Sequence, residues 1–273
     1  MPEGAGAAMT SVAIIGAAGK MGQALVRCVL NSTDLQLVLA IEQPGSPELG
    51  RDAGEVAVST PADLAITAAF DDLGKADVIV DFSARSATAQ NAHLAATHSR
   101  PIVIGTTGVD KDQADRVYES SRRIPIVWAP NMSLGVNLLF ATVERAAQVL
   151  GSGYSVQVDE THHVHKKDAP SGTALRLGER IAEGRGQDFR KVMIHNPEGQ
   201  TASPDQIVIR SHREGEVVGE HAVVFSNAAE KISFSHSATS RDALALGALH
   251  AARWVLNKRP GLYDMQDVLS LRQ

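Results

Sequence analysis

Residues 12–30 read VAIIGAAGKMGQALVRCVL, and no other run constrains the fold as strongly. Val12 to Ile15 is a short apolar run, Gly16, Gly19 and Gly22 punctuate a turn, and QALVRCVL carries helical periodicity. Strand, glycine turn and helix in immediate succession open a βαβ unit, because glycine alone lets the backbone turn tightly and pack a helix closely on its strand. The spacing is GxxGxxG rather than GxGxxG, yet its physics is the same: helix N–H groups and the positive end of the dipole face a point where a pyrophosphate can sit.

Further apolar runs follow at Leu35 to Ile41, in ADVIVDFS (76–83), in PIVIGTTG (101–108) and in PIVWAPN (125–131), separated by helix-like stretches. Continuous Val/Ile runs of this length suit parallel strands covered on both faces, so the first half is an α/β domain with a Rossmann-type, doubly wound parallel sheet. Ligands bind outside the carboxyl ends of such strands, which singles out Ser83 to Arg85, Gly105 to Thr107 and Ala129 to Met132. The alternative for these segments is simple turn chemistry. Glu42 ends the second run, about 20 residues past the glycine turn, where an acid would hydrogen-bond a ribose; an ordinary exposed charge is the other reading.

After Gly135 the character changes. VNLLFATVERAAQVL is an amphipathic helix, and Tyr154 to Asp159 alternates with period two, as a sheet with one wet face does. Gln206 to Arg213, Glu216 to Ser226 and Lys231 to His236 read as strands joined by short turns, predicting a second α+β domain on a mostly antiparallel sheet. Asp242 to Asn257 is again helical, and the closing GLYDMQDVL is expected to return to the first domain. The division is therefore residues 1–130 with 240–273, and residues 131–239.

ETHHVHKKDAPSGTA (160–174) concentrates imidazoles, ammonium groups and a helix start. His162, His163 and His165 can exchange protons near neutral pH, Lys166 and Lys167 are cationic, and Pro170 to Thr173 opens a helix whose N–H groups favour an anion. A small, multiply charged anion suits such a segment. Zinc is the competing reading, but no cysteine or carboxylate at tight-site spacing supports it, so no metal is expected; a solvated strand end is the bland alternative. A net charge of −5 gives no footprint for nucleic acid. The single cysteine, Cys28, sits in a predicted helix and reads as core packing, and no disulfide within the chain is possible. The small-residue tip MPEGAGAAMTS resembles neither a signal peptide nor a membrane span, so no membrane association and a cytoplasmic location are expected.

GAAGKMG, VIGTTG, APNMSLGVN, ETHHVHKKDAPSGTA, VGEH and GLYDMQDVL, in that order from Val12 to Leu269, together resemble the dihydrodipicolinate reductase family, the 4-hydroxy-tetrahydrodipicolinate reductases. The resemblance implies an N-terminal Rossmann domain, a C-terminal domain that binds substrate and builds a homotetramer, and a nicotinamide cofactor. It implies loss of water from a cyclic hydroxy imine, hydride transfer to the ring and proton supply, in lysine and diaminopimelate biosynthesis. Position by position, the proton donor falls on His162, the second catalytic position on Lys166, a substrate contact on His163, and the carboxylate-binding turn on Gly172 and Thr173. Cofactor contacts fall on Gly16, Ala17, Ala18, Gly19, Lys20 and Met21, on Glu42, on Gly105, Thr106 and Thr107, and on Ala129, Pro130, Asn131 and Met132. Lys166 is expected to hold a substrate carboxylate and to keep His162 oriented. Many relatives place arginine after the ribose-binding acid, where this chain has Gln43, which favours NADH while leaving NADPH open. Met132 stands where relatives often carry an aromatic residue.

Two other classes compete. A thiol-dependent aldehyde dehydrogenase lacks a suitable cysteine, and a nucleotide sensor would keep the glycine turn but has no use for the histidine–lysine block. Arg241 reads equally as a substrate ligand or a helix-start charge.

Overall fold

In the computed structural model, residues 9–197 and 203–272 are described; the first eight residues of the small-residue tip lie outside them. Val12, Ala13 and Ile14 have no solvent exposure, so the first apolar run is a strand covered on both faces: β1 (Thr10–Ile15). The chain then runs through α1 (Lys20–Leu30), β2 (Leu35–Ile41), α2 (Ala53–Val58), β3 (Ile66–Thr67), β4 (Val78–Asp81), α3 (Thr88–Thr97), β5 (Ile102–Ile104), α4 (Lys111–Ser121) and β6 (Pro125–Trp128). Next come α5 (Leu134–Leu150), β7 (Ser155–His162), α6 (Gly172–Arg185), α7 (Phe189–Val192), β8 (Met193–His195), β9 (Ile207–Arg213), β10 (Gly219–Ser226) and β11 (Lys231–Ala238). The last elements are α8 (Asp242–Val255), β12 (Gly261–Tyr263) and α9 (Met265–Val268).

Two compact units result, Met1–Ser133 with Asp242–Gln273, and Leu134–Arg241. The first holds a parallel sheet in the order β12-β6-β5-β4-β1-β2-β3, the Rossmann-type sheet expected. In register, Ile15 pairs with Ile41 and with Asp81, Asp81 with Ile104, and Ile104 with Trp128. The carboxyl ends of five strands therefore align, and the loops that follow them share one edge. Strand order reverses between β1 and β4, which opens a crevice there. The closing segment does return to this unit: β12 extends the sheet beside β6, and Arg27 of α1 pairs with Asp242 at the start of α8.

The second sheet, β11-β10-β7-β9-β8, is mixed rather than mostly antiparallel. β10 pairs antiparallel with β7 and β11, but β7–β9 and β8–β9 are parallel. The reason is the connection: a parallel neighbour requires a long crossover, and α6 with α7 supplies one between β7 and the β8–β9 pair. Val156, Val158, Val223 and Phe225 bury one face against Leu139, Phe140, Val143, Leu177 and Ile181 of α5 and α6, leaving the other face wet as the alternation predicted.

Candidate active site

The alternation of β7 carries its buried face past the apolar residues. Val156, Val158 and Glu160 are inward at successive period-two positions, and His162 follows on the same face. Glu160 is thus a carboxylate with no solvent exposure. Its Oε2 bonds His162 Nδ1, while Oε1 accepts the Ser171 N–H at 3.2 Å and both terminal nitrogens of Arg213 at 3.2 Å. Burial pushes Glu160 upward, yet hydrogen bonds from His162 and Ser211, with the charges of His162 and Arg213, outweigh it and hold the carboxyl at about 2. Arg213 also donates to the carbonyls of Lys166, Asp168 and His212, strapping the loop after β7 to β9.

His162 Nε2 has no hydrogen-bond partner among the described residues. A Cβ at Gly219 would stand 3.2 Å from it, so the glycine leaves this nitrogen room. His221 meets the His162 ring edge-on at 5.3 Å. Burial, together with the neighbouring His162, depresses His221 to about 3 and keeps it neutral. Lys166 places its ammonium on both oxygens of Asp168, at 2.8 and 2.7 Å; the group that fixes His162 is Glu160 and not, as expected, Lys166. His163 lies just past β7, with a buried Nδ1 that has no hydrogen-bond partner among the described residues. Gly172 and Thr173 are the first two residues of α6, which starts later than the sequence suggested: Ser171 caps it, its Oγ accepting the Ala174 N–H at 3.1 Å, with Pro170 just outside.

Glu160, His162 and His221 offer ligand atoms that all lie within 4.8 Å of one another. A carboxylate thus does join the histidines, against the sequence expectation, because residues 160 and 162 share a strand face and β10 supplies His221. The carboxylate is already committed to His162, Ser171 and Ser211 and to the cationic Arg213, which opposes a metal ion at this point.

In the first unit, Gly16 has φ +82, and a Cβ on Gly22 would meet Gly16 O at 2.0 Å, so both positions need glycine for the turn to close. Gly16 and Gly19 line a cleft of about 440 Å³ with Glu42, Gln43, Phe70, Ser83 and Asn91. Glu42 Oε1 accepts the Ala18 N–H at 3.1 Å, which joins the end of β2 to the glycine turn that also carries Ala17, Lys20 and Met21. A neighbouring cleft is lined by Phe82, Ser83, Arg85, Gly105, Thr106 and Thr107. A Cβ on Gly105 would lie 2.2 Å from the Phe82 ring, and Trp128 Nε1 donates to Thr106 O at 3.1 Å. The buried Asp81 accepts from Ser83 N at 2.9 Å and Asn91 Nδ2 at 3.2 Å. After β6, Ala129 and Met132 are buried, Pro130 is exposed and Asn131 is half-buried. A glycine cradle, an acid at the end of β2 and an apolar wall of Phe70 and Phe82 fit a dinucleotide.

Residues 10–132 match the family described as dihydrodipicolinate reductase, N-terminus, and residues 135–269 match its C-terminus. The chain belongs to the dihydrodipicolinate reductase family. The 4-hydroxy-tetrahydrodipicolinate reductase of Syntrophotalea carbinolica is 44% identical over 267 residues, covering 97% of this chain and 100% of that one. That of Anaeromyxobacter dehalogenans is 45% identical over 270 residues, covering 97% and 99%. The fold matches a dipicolinate-bound dihydrodipicolinate reductase from Paenisporosarcina sp. TG-14, with a TM-score of 0.74 at 24% identity, covering 95% of this chain and 98% of that one. Dihydrodipicolinate reductases are oxidoreductases of the pyridine-nucleotide-dependent kind.

Sequence reading missed Glu160, Arg213, Asp168 and His221 as parts of the site. The signal for Glu160 was present: extending the VQVDETH alternation by one step places an acid on a core face, where an unpaired charge is not tolerated. Arg213 carried no local signal, whereas His221 closes the VGEH motif without having been marked as a site residue.

Proposed function

We propose that this family member reduces 4-hydroxy-tetrahydrodipicolinate, via dihydrodipicolinate, to tetrahydrodipicolinate in lysine and diaminopimelate biosynthesis, using NAD(P)H. The observation that carries the reading is His162 held by a buried carboxylate, with Nε2 open, beside the cationic loop that leads into α6. A protonated His162 donates from Nε2 as the reduced ring collapses from its enamine form, and Nδ1–H stays on Glu160. Lys166 exchanges Asp168 for a substrate carboxylate, a charge-assisted bond, and the Gly172 and Thr173 turn receives the second carboxylate. His163 contacts the substrate. A bound nicotinamide supplies the reducing equivalent. Gly16, Ala17, Ala18, Gly19, Lys20 and Met21 hold its pyrophosphate, Glu42 the adenosine ribose, and Gly105, Thr106, Thr107, Ala129, Pro130, Asn131 and Met132 the nicotinamide end.

NADH is the favoured donor. Glu42 already faces the turn and repels a 2′-phosphate, and Gln43 offers no cation in compensation; Lys20 keeps NADPH use open. The family resemblance supports a homotetramer. No helix among the described residues is long and apolar enough to cross a membrane, in keeping with a cytoplasmic enzyme.

The test is nicotinamide absorbance in a coupled assay, with dihydrodipicolinate synthase making substrate from pyruvate and aspartate semialdehyde, run with NADH and NADPH in parallel. Synthase-dependent oxidation, faster with NADH, is the expected result. Cofactor binding without oxidation would replace the reductase by a nucleotide sensor.

A further inference from the structure

Proton donation by His162 requires that one ring nitrogen be reserved for the exchanged proton, and the structure shows what reserves it. We propose that Glu160 is a positioning residue whose carboxylate holds His162 in the Nδ1–H form, so that Nε2 is the nitrogen that loses and regains the catalytic proton. This rests on the proton-donor reading of His162 above.

Three observations carry it. Glu160 has no solvent exposure, and its Oε2 is committed to His162 Nδ1. Its other oxygen is pinned by the Ser171 N–H and by both terminal nitrogens of Arg213, each at 3.2 Å, so every group around the carboxylate is a donor. A carboxylate is acceptor-only, and His162 Nδ1 must therefore carry a proton. Arg213 pairs in register with His162 across β7 and β9 and also clamps the carbonyls of Lys166 and Asp168. The carboxylate cannot leave His162 without breaking the strap that sets the Lys166 loop. On the opposite nitrogen, Gly219 withholds a Cβ that would stand 3.2 Å from Nε2.

The proton balance closes. Protonated His162 carries Nδ1–H and Nε2–H; the Nε2 proton passes to the substrate enamine; the neutral ring keeps Nδ1–H on Glu160; water restores Nε2–H. His221, held at about 3, adds no second cation beside the protonated ring.

Glu160→Gln tests this by changing one oxygen to an amino group at constant shape. Its carbonyl stays on Arg213 and Ser171, so the amide nitrogen turns toward His162 Nδ1, which must then accept. The neutral ring inverts to Nε2–H, and turnover falls by roughly 10²-fold or more, as in other carboxylate–histidine pairs, with KM for the nicotinamide nucleotide unchanged. Long-range ¹H–¹⁵N spectra of histidine-labelled protein, assigned by the signal lost in His162→Gln, read the tautomer directly. Neutral His162 as Nδ1–H in the unsubstituted enzyme and as Nε2–H in Glu160→Gln supports the proposal. It is overturned if the unsubstituted enzyme shows Nε2–H, a result independent of whether the variant folds. It is also overturned if Glu160→Gln keeps turnover within about threefold, or loses thermal stability and turnover without inverting the tautomer. Full turnover in His162→Ala would instead sink the proton-donor reading itself.

Discussion

A carboxylate taken wholly out of water costs several kcal/mol unless donors surround it, so Glu160 exists in this site only because His162, Ser171 and Arg213 do. At this scale the proton donor is tested by His162→Ala, expected to lower kcat by roughly 10²–10⁴-fold with the fold intact. Lys166→Ala is expected to raise substrate KM as well as lower kcat, since it removes a carboxylate ligand; the kinetic constants of purified protein separate the two patterns. Two shifted groups of this site bear on acid stability. His221 binds a proton at about 6.5 when unfolded but not above about 3 when folded, so stability falls as pH drops through that window. The slope is at most ~1.4 kcal/mol per pH unit for one proton. Glu160, ordinarily near 4.5 and held at about 2, stabilises above 4.5 and loses that contribution only below it. Burial also lowers His236 and raises Asp81, so denaturant melts between pH 6.5 and 4.5 are to be read as the difference between the unsubstituted protein and a His221 variant. His221→Gln should flatten much of the slope there, and an unchanged slope would show that His221 is protonated in the native state.

At the scale of elements, the turns that open α1 and α6 are built by different means. The α1 turn is built around glycine: a Cβ at Gly22 would lie 2.0 Å from Gly16 O and 2.6 Å from Ala17 Cα, backbone atoms that cannot yield. Gly22→Ala is expected to cost about 2–3 kcal/mol in stability and to weaken NADH binding at least tenfold, measurable by thermal unfolding and fluorescence titration. The α6 turn is held by the Ser171 cap instead, and a Cβ at Gly172 would meet nothing within 4 Å. Gly172→Ala should leave the melting temperature within a few degrees while raising substrate KM, and Ser171→Ala should cost ~1 kcal/mol. Equal effects of the Gly172 and Gly22 substitutions on folding would contradict this division.

At the scale of the whole molecule, the chain leaves its first unit at Ser133 and re-enters at Asp242, and the last strand pairs with β6. Burial completes this unit: Ala245, Ala248, Leu249, Ala252 and Val255 of α8 are at most 1% exposed. The Arg27–Asp242 ion pair between α1 and α8 is about one-third exposed on each side, so its direct contribution is small. Asp242→Asn is expected to cost less than about 1 kcal/mol, whereas Ala248→Asp, which buries an unpaired charge, should abolish folding of the first unit and with it nucleotide binding. Circular dichroism and NADH fluorescence report both.

The sequence by itself determined the parallel sheet, the glycine turn, the period-two sheet with a wet face and the histidine–lysine segment, because each is written in spacings of a few residues. The return of the tail to the first unit was an expectation that periodicity alone could not establish, and the pairing of β12 with β6 is what establishes it. Tertiary structure alone decided the mixed pairing of the second sheet, since the direction of β9 depends on where the α6 crossover delivers it. It alone brought Arg213 and His221 to Glu160 and His162, from positions about 50–60 residues away. It also moved the orienting role from Lys166 to Glu160, because a lysine beside an aspartate pairs locally, whereas a buried carboxylate must take its donors from whichever strands surround it.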